Sequence, residues 1–224
     1  MIERILPADV VSVTVPGDLA ETPGESGETL FAEERAIVAR AVPRRQQEFT
    51  TGRLCARRAL ARLGLPPAPL LRNARGAPQW PPGVVGSMTH CDGYRAAAVA
   101  WAHPGGPAAV GIDAEPHAPL PEGVLDTIAL PAERRRLAEL SLRNPANAWD
   151  RLLFSAKEAV FKAWYPLTQA ELGFHEADID LHPDDGTFTA RLLVPGPVVA
   201  GRYLTAFTGR WLTAGGLLAT SVVV

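Results

Sequence analysis

Apolar residues recur at helical spacing over two long stretches and crowd together over several short ones, so the chain reads as a mixture of helices and strands. The clearest period lies in residues 145–165. There Trp149, Leu153, Ala156, Val160 and Trp164 form one stripe, and Phe154, Phe161 and Tyr165 cover a second side, leaving little of the helix to water. Asn144-Pro145 supplies a cap and a first residue, and Pro166 is expected to stop the helix. A second long helix is predicted over 43–63, opened by Pro43 and buried through Phe49, Ala56, Leu60 and Leu63. Shorter helices are expected over 31–42 and 130–142, with Glu33-Glu34-Arg35 and Arg134-Arg135-Arg136 on their wet sides.

Strands are predicted at 10–15, 84–88, 96–101, 108–116, 179–181, 187–194, 203–207 and 217–224. Thr89-His90-Cys91-Asp92-Gly93 reads as the hairpin joining the second and third, and Asp184-Asp185-Gly186 and Gly215-Gly216 as turns in a mostly antiparallel sheet. The polar stretch from Gly17 to Glu28 reads as a mobile loop, and Pro66, Pro67 and Pro69 stiffen a connector after Gly64. A Pro/Gly break at 103–107 divides the chain into 1–107 and 108–224, each with strands and one long helix. No repeat is visible at the level of residues. The expected class is α+β.

The 224 residues carry 22 Lys and Arg against 24 Asp and Glu, a formal charge of −2. That balance argues against a general binder of nucleic acid or membrane surfaces, so any phosphate binding has to be local. Cys55 and Cys91 match no metal spacing and no disulfide framework, which suits a reducing compartment. With no apolar run of bilayer length and no basic start ahead of an apolar core, a cytoplasmic protein is expected.

Charges inside the most apolar helix change the picture. Lys157, Glu158 and Lys162 interrupt it, and Glu158 and Lys162 stand four apart on one face. An ion pair is one reading of that face; a carboxylate and an ammonium converging on a ligand is another. In the strand 108–116, Asp113 and Glu115 point the same way and are stopped by Pro116. Two carboxylates at a strand end are either a solvated acidic turn or a minimal hard-cation site. On the 43–63 helix, Arg45 and Arg53 lie on nearly the same side, and Arg72 and Arg75 sit in a Gly/Pro turn suited to an anion. His90 is open between a packing role and a phosphate contact. Three acids on two elements with scattered Arg, His and Lys suit phosphoryl or phosphodiester transfer, without naming a substrate.

The chain resembles the 4'-phosphopantetheinyl transferases, in the branch similar to those serving siderophore, polyketide and nonribosomal peptide synthesis. The resemblance rests on Val110-Gly111-Ile112-Asp113-Ala114-Glu115, on the run from Phe154 through Ser155-Ala156-Lys157-Glu158 to Lys162-Ala163-Trp164, on Gly86-Ser87-Met88-Thr89-His90 and on the basic helix around Arg45 and Arg53. It covers roughly 43–173. Ser155 stands where many members carry Trp or Cys, and Arg72 and Arg75 where relatives often carry lysines.

What the resemblance implies is a pseudo-twofold α+β monomer, each half a small antiparallel sheet packed on a long helix, with coenzyme A in the cleft between them. Asp113, Glu115 and Glu158, helped by the Ala114 carbonyl, would hold Mg²⁺. Glu158 would serve as base for a serine of an apo acyl or peptidyl carrier protein, and Lys162 would steady the diphosphate and protonate the departing 3',5'-ADP. Arg45, Arg53, Arg72, Arg75, Thr89 and His90 would hold the phosphates and the adenosine end. The implied partners are coenzyme A and carrier proteins, not nucleic acid or membrane. Two alternatives remain at this point: a metal-dependent nuclease, and a module that binds coenzyme A or a carrier without chemistry.

Overall fold

Strand β1 (Val11–Val15) forms the start of a three-stranded antiparallel sheet, completed by the hairpin of β2 (Val84–Cys91) and β3 (Tyr94–Trp101) in the order β1-β3-β2. Between them run α1 (Ala32–Val38) and α2 (Pro43–Arg62). Helix α2 lays Cys55, Ala56, Ala59 and Leu60 against Val13, Val15, Ala97 and Val99. This is a computed structural model, and it describes residues 1–18 and 30–224. Beyond Asp18, the stretch expected to be a mobile loop falls outside the described residues.

The path is then repeated with additions. Strand β4 (Val110–Pro116) leads through α3 (Val124–Ile128), α4 (Pro131–Arg143) and α5 (Trp149–Thr168) to β5 (Ala177–His182) and β6 (Thr187–Leu192). A small pair, β7 (Val198–Val199) and β8 (Arg202–Tyr203), precedes the closing hairpin of β9 (Ala206–Ala214) and β10 (Leu217–Val223). The five strands order as β4-β10-β9-β6-β5, so β4-β10-β9 reproduces the arrangement β1-β3-β2. The expected α+β class is observed, each sheet packed on one long helix. A repeat invisible in the residues is thus visible in the topology, because the shared property is the path of the chain and not its side chains.

Gly111 sets how closely β4 approaches α5. A Cβ there would meet the Ala159 carbonyl oxygen at 2.0 Å and the Ala163 nitrogen at 2.7 Å. Only glycine allows that contact. It brings the acidic end of β4 against the charged face of α5.

Several boundaries differ from expectation. Thr89, His90 and Cys91 belong to β2, and only Asp92-Gly93 form the turn, because the β2-β3 register continues to Cys91 opposite Tyr94. Helix α5 begins at Trp149, while Asn144 closes α4 and its carbonyl takes the Trp149 indole N–H at 2.8 Å. At the far end α5 runs through Pro166. The missing N–H falls in the last turn, where Gln169, at φ 55°, donates its N–H to the Tyr165 carbonyl at 2.8 Å and Thr168 Oγ1 donates to Trp164. The strand expected at 203–207 is instead β8 and the start of β9. Gly209 continues β9 because Phe188, its register partner on β6, lays its ring where a Cβ would stand.

Candidate functional site

The two sheets meet edge to edge without a backbone ladder. Strand β2 borders the first and β4 the second, and side-chain hydroxyls join them. Ser87 Oγ accepts the Ile112 N–H at 3.1 Å, and Thr89 Oγ1 accepts the Ala114 N–H at 3.0 Å. The Thr89 hydroxyl proton goes to Asp113 Oδ1 at 3.2 Å.

Asp113 is 5% exposed. Its Oδ1 also takes Lys162 Nζ at 2.7 Å, and the same ammonium reaches the Ile112 carbonyl at 3.1 Å. The simple Glu158–Lys162 pair on one helix face is therefore not formed: Lys162 crosses to β4. Glu158 makes no hydrogen bond or ion pair among the described residues. Burial raises its carboxyl above the ordinary range; Lys162 opposes this and Asp113 adds to it. Glu115 is raised by burial and by Asp113, against the pull of Arg151, whose Nη1 donates to Glu115 Oε2 at 2.9 Å.

Among the described residues, no three acidic, His or Cys side chains are gathered closely enough to form a ready metal centre. Two of the three predicted ligands instead hold protein cations, Lys162 and Arg151. The donor chemistry still fits a hard cation, since it consists of carboxylate oxygens. One atom supports the fit directly: Asp113 Oδ2 is buried and has no hydrogen-bond partner among the described residues. Such an atom in a native fold calls for a partner.

Beside the acids opens a cleft of about 340 Å³ between α2, the turn 72–78, β2 and α5. Its walls include Arg45, Arg53, Arg72, Arg75, Thr89, His90 and Lys162, so the predicted basic residues converge from both halves. They differ in availability. Arg45 is half exposed, donating to His90 Nε2 at 3.1 Å and to Glu48 at 3.4 Å. Arginine only donates, so His90 Nε2 accepts, which leaves the proton of a neutral imidazole on Nδ1. Burial, then Arg45, holds His90 below its usual value and favours that neutral form.

Arg53 is 6% exposed, donates Nε to the Leu70 carbonyl at 2.8 Å and lies 4.2 Å over the Phe49 ring. Burial lowers its pKa to about 10, leaving it charged within the wall. Arg72 is exposed at the rim. Arg75 reaches Glu171 at 2.5 Å, and Asn73 donates to the Tyr165 hydroxyl at 2.9 Å, so the basic turn is tied to the end of α5. Asn73 Oδ1 shapes that turn by accepting the N–H groups of Arg75 and Ala77, and Gly76 supplies φ 87°.

Glu158 opens on a neighbouring hollow of about 210 Å³ with Leu172 and Phe174, reached past Phe161 and Glu171, which line both spaces. Sequence reasoning missed Glu48, Trp80, Tyr165 and Glu171 in the cleft and Arg151 beside Glu115. For Tyr165 the signal was its place one turn beyond Phe161 on the charged helix; the others had none without the fold.

Two family models match the chain in succession: the 4'-phosphopantetheinyl transferase N-terminal domain over residues 33–100, and the 4'-phosphopantetheinyl transferase superfamily over 109–211. The chain is 58% identical over 224 residues to the 4'-phosphopantetheinyl transferase Svp of Streptomyces mobaraensis, covering all of this chain and 89% of that one. It is 46% identical to PptT of Mycobacterium tuberculosis over 229 aligned residues, covering 100% and 98%. Enterobactin synthase component D of Escherichia coli K12 is 36% identical over 138 residues, 61% of this chain and 62% of that protein.

Proposed function

The chain belongs to the 4'-phosphopantetheinyl transferase superfamily, and on that premise we propose how its residues work. It transfers the 4'-phosphopantetheine of coenzyme A to a serine of an apo acyl or peptidyl carrier protein. The serine oxygen forms a bond to the pantetheine phosphorus, the bridging P–O bond of the diphosphate breaks, and 3',5'-ADP leaves. Family membership and the named transferase relatives speak against both the nuclease alternative and a module without chemistry.

In this reading Arg45, Arg72, Arg75 and His90 hold the phosphates and the adenosine end, with Arg53 and Thr89 in the wall behind them. Guanidiniums suit that work because their paired donors match phosphate oxygens. Glu158 takes the serine proton. Its support is partial burial, a raised carboxyl and freedom from any ion pair among the described residues, since a base near the working pH accepts a proton more readily than a paired carboxylate. Lys162 lies between Asp113 and the cleft, where it steadies the diphosphate and returns a proton to the departing 3',5'-ADP. Asp113, Glu115 and Glu158, with the Ala114 carbonyl between the first two, would hold Mg²⁺. When bound, that ion supplies charge neutralisation on the diphosphate.

The single observation that carries the reading is the meeting of a cationic cleft with a buried carboxylate oxygen, Asp113 Oδ2, left without a partner among the described residues. The proposed setting is a cytoplasmic monomer whose halves, 1–107 and 108–224, flank the coenzyme. It serves carrier proteins rather than nucleic acid or membrane, consistent with a net charge of −2.

The test is intact-mass spectrometry of an apo carrier protein incubated with this protein, coenzyme A and Mg²⁺. One added phosphopantetheine, prevented by EDTA, is expected. An EDTA-insensitive gain would remove the metal, and no gain across several carriers would remove the transfer.

A further inference from the structure

We infer that Glu171 is an internal stand-in for a ligand phosphate: it occupies Arg75 across the cleft, coenzyme A binds by displacing it, and Glu171 thereby sets the affinity for the coenzyme. This rests on the proposed role of Arg75 as a phosphate contact.

Two acids line the cleft, and they are held in opposite ways. Glu48, its side chain 15% exposed, stands among Arg44, Arg45, His90 and Arg95 at 3.2, 3.4, 3.7 and 3.8 Å. Shared by basic groups of α2, β2 and β3, it belongs to the scaffold of the first half. Glu171 has Arg75 alone among the described residues, at 2.5 Å, and the two side chains are 68% and 54% exposed.

The pair spans the halves, since Arg75 belongs to the turn 72–78 and Glu171 follows α5. The turn does not depend on it. Asn73 Oδ1 shapes the turn by accepting the N–H groups of Arg75 and Ala77 at 3.0 Å each, and Asn73 Nδ2 ties it to the Tyr165 hydroxyl at 2.9 Å. Arg75 can therefore exchange one anion for another by turning its side chain, with the turn still anchored to α5.

Charge gives the direction of the exchange. An ion pair this exposed contributes little, because water screens both groups and two long side chains must be held in one geometry. A phosphate carries more acceptor oxygens than a carboxylate and matches the guanidinium fork as well. Arg45, Arg53 and Arg72 line the same cleft, so a phosphate there draws on several cations while Glu171 reaches one. Glu171 also lines the hollow beside Glu158, which puts its carboxylate where the two spaces join. Before binding it neutralises Arg75; after binding it faces an anion. Both effects oppose tight retention of coenzyme A and of 3',5'-ADP.

The experiment is calorimetry of 3',5'-ADP in EDTA with the full chain, on wild type, Glu171→Gln, Arg75→Gln and the double variant. Glu171→Gln, which keeps the shape and removes the charge, is expected to bind about two- to fivefold tighter, the worth of an exposed ion pair. Arg75→Gln should bind more weakly, and Glu171→Gln should add little once Arg75→Gln is present, because the cation it would release is gone. Timed intact-mass measurements should show carrier modification by Glu171→Gln inhibited more strongly by added 3',5'-ADP than that by wild type. Unchanged or weaker binding in Glu171→Gln would overturn the inference. So would an equal gain with and without Arg75, which would make Glu171 a bystander charge. Wild-type affinity in Arg75→Gln would instead remove Arg75 from the phosphates, and no binding by wild type would overturn the coenzyme reading; the inference falls with either.

Discussion

Each half of the molecule is tied together by one buried glutamate, and the two ties differ in their cations: Arg57, with Arg53 4.0 Å away, in the first half, and Lys157 in the second. Glu34 and Glu133 both stand in the first turn of a short helix and cap its start, accepting the backbone N–H of Phe31 at 2.9 Å and of Leu130 at 2.7 Å. Both accept a backbone N–H from beyond the following long helix, Leu70 at 2.9 Å and Ile179 at 2.7 Å. Both pair with a cation of that helix, Glu34 with Arg57 at 2.8 Å and Glu133 with Lys157 at 2.8 Å. The cation is the difference. Arg57 faces its acid with two bonds, whereas Lys157 divides its donors among Glu133 and the carbonyls of Phe174 and Ala177.

The next residue along each helix is where chemistry departs from scaffold. After Arg57 comes exposed Arg58, and after Lys157 comes half-buried Glu158. The comparison teaches that the tie is structural in both halves, and that the second half places the acid proposed as base one step away from it. Glu158→Ala is therefore expected to lower the rate of carrier modification by about 10²–10⁴-fold, the range for loss of a general base. Its melting temperature should stay near wild type, because no ion pair is broken. Rates from timed intact-mass measurements decide it: near-normal turnover would detach Glu158 from the reaction.

Breaking the ties themselves should cost stability instead. Removing one partner of a buried ion pair typically costs about 3–5 kcal/mol. Glu34→Gln should fall at the upper end of that range, since Arg57 cannot shed its charge. Glu133→Gln should fall at the lower end, because Lys157 can. Burial already pulls the Lys157 pKa down, and Glu133 is the main group opposing it. With a depressed folded-state pKa, the folded protein binds fewer protons than the unfolded chain between that pKa and the ordinary lysine value. Stability of Glu133→Gln should then rise with pH through that window, over a wider range than in Glu34→Gln, where Lys157 keeps Glu133 and only its original depression contributes. Urea midpoints from neutral to alkaline pH separate them; parallel curves would show that the two cations are equivalent.

This asymmetry also explains what was legible beforehand. Asp113, Glu115, Glu158 and Lys162 could be proposed because each motif is contiguous, and the fold class followed from apolar periods within single elements. The ties were not, because Glu34 meets Arg57 across 23 residues and Glu133 meets Ile179 across 46, with nothing local to connect them. Glu34 was even read as part of a wet face, yet it is fully buried. Thr89 was expected among the phosphate contacts and lines the cleft, but its link to Asp113 required knowing that β2 and β4 lie edge to edge. For Lys162 the ion pair with Glu158 was one of two readings, and its actual bond to Asp113 was out of reach, since helix spacing shows Glu158 and cannot show β4.

The smallest expected effect distinguishes the halves by their response to acid. His90 lies among Arg45, Glu48, Arg95 and Lys162, and partial burial with the nearby cations holds its pKa below 6.5 despite Glu48. Without ligand, the folded protein thus takes up the proton later than the unfolded chain does. Stability contributed by neutral His90 is present above pH 6.5 and is lost as pH falls through that value toward the lowered one. Bound coenzyme A should reverse the sign, because a phosphate beside His90 favours the imidazolium and raises its pKa, so acidification should then tighten binding. The measurement is 3',5'-ADP affinity in EDTA at pH 7.5 and 5.5 for wild type and His90→Gln. A pH-dependent gain of a few-fold that disappears in His90→Gln is expected, consistent with about one pKa unit of linkage. Identical pH dependence in both would place the phosphates away from His90 and leave the cationic work of the first half to its arginines.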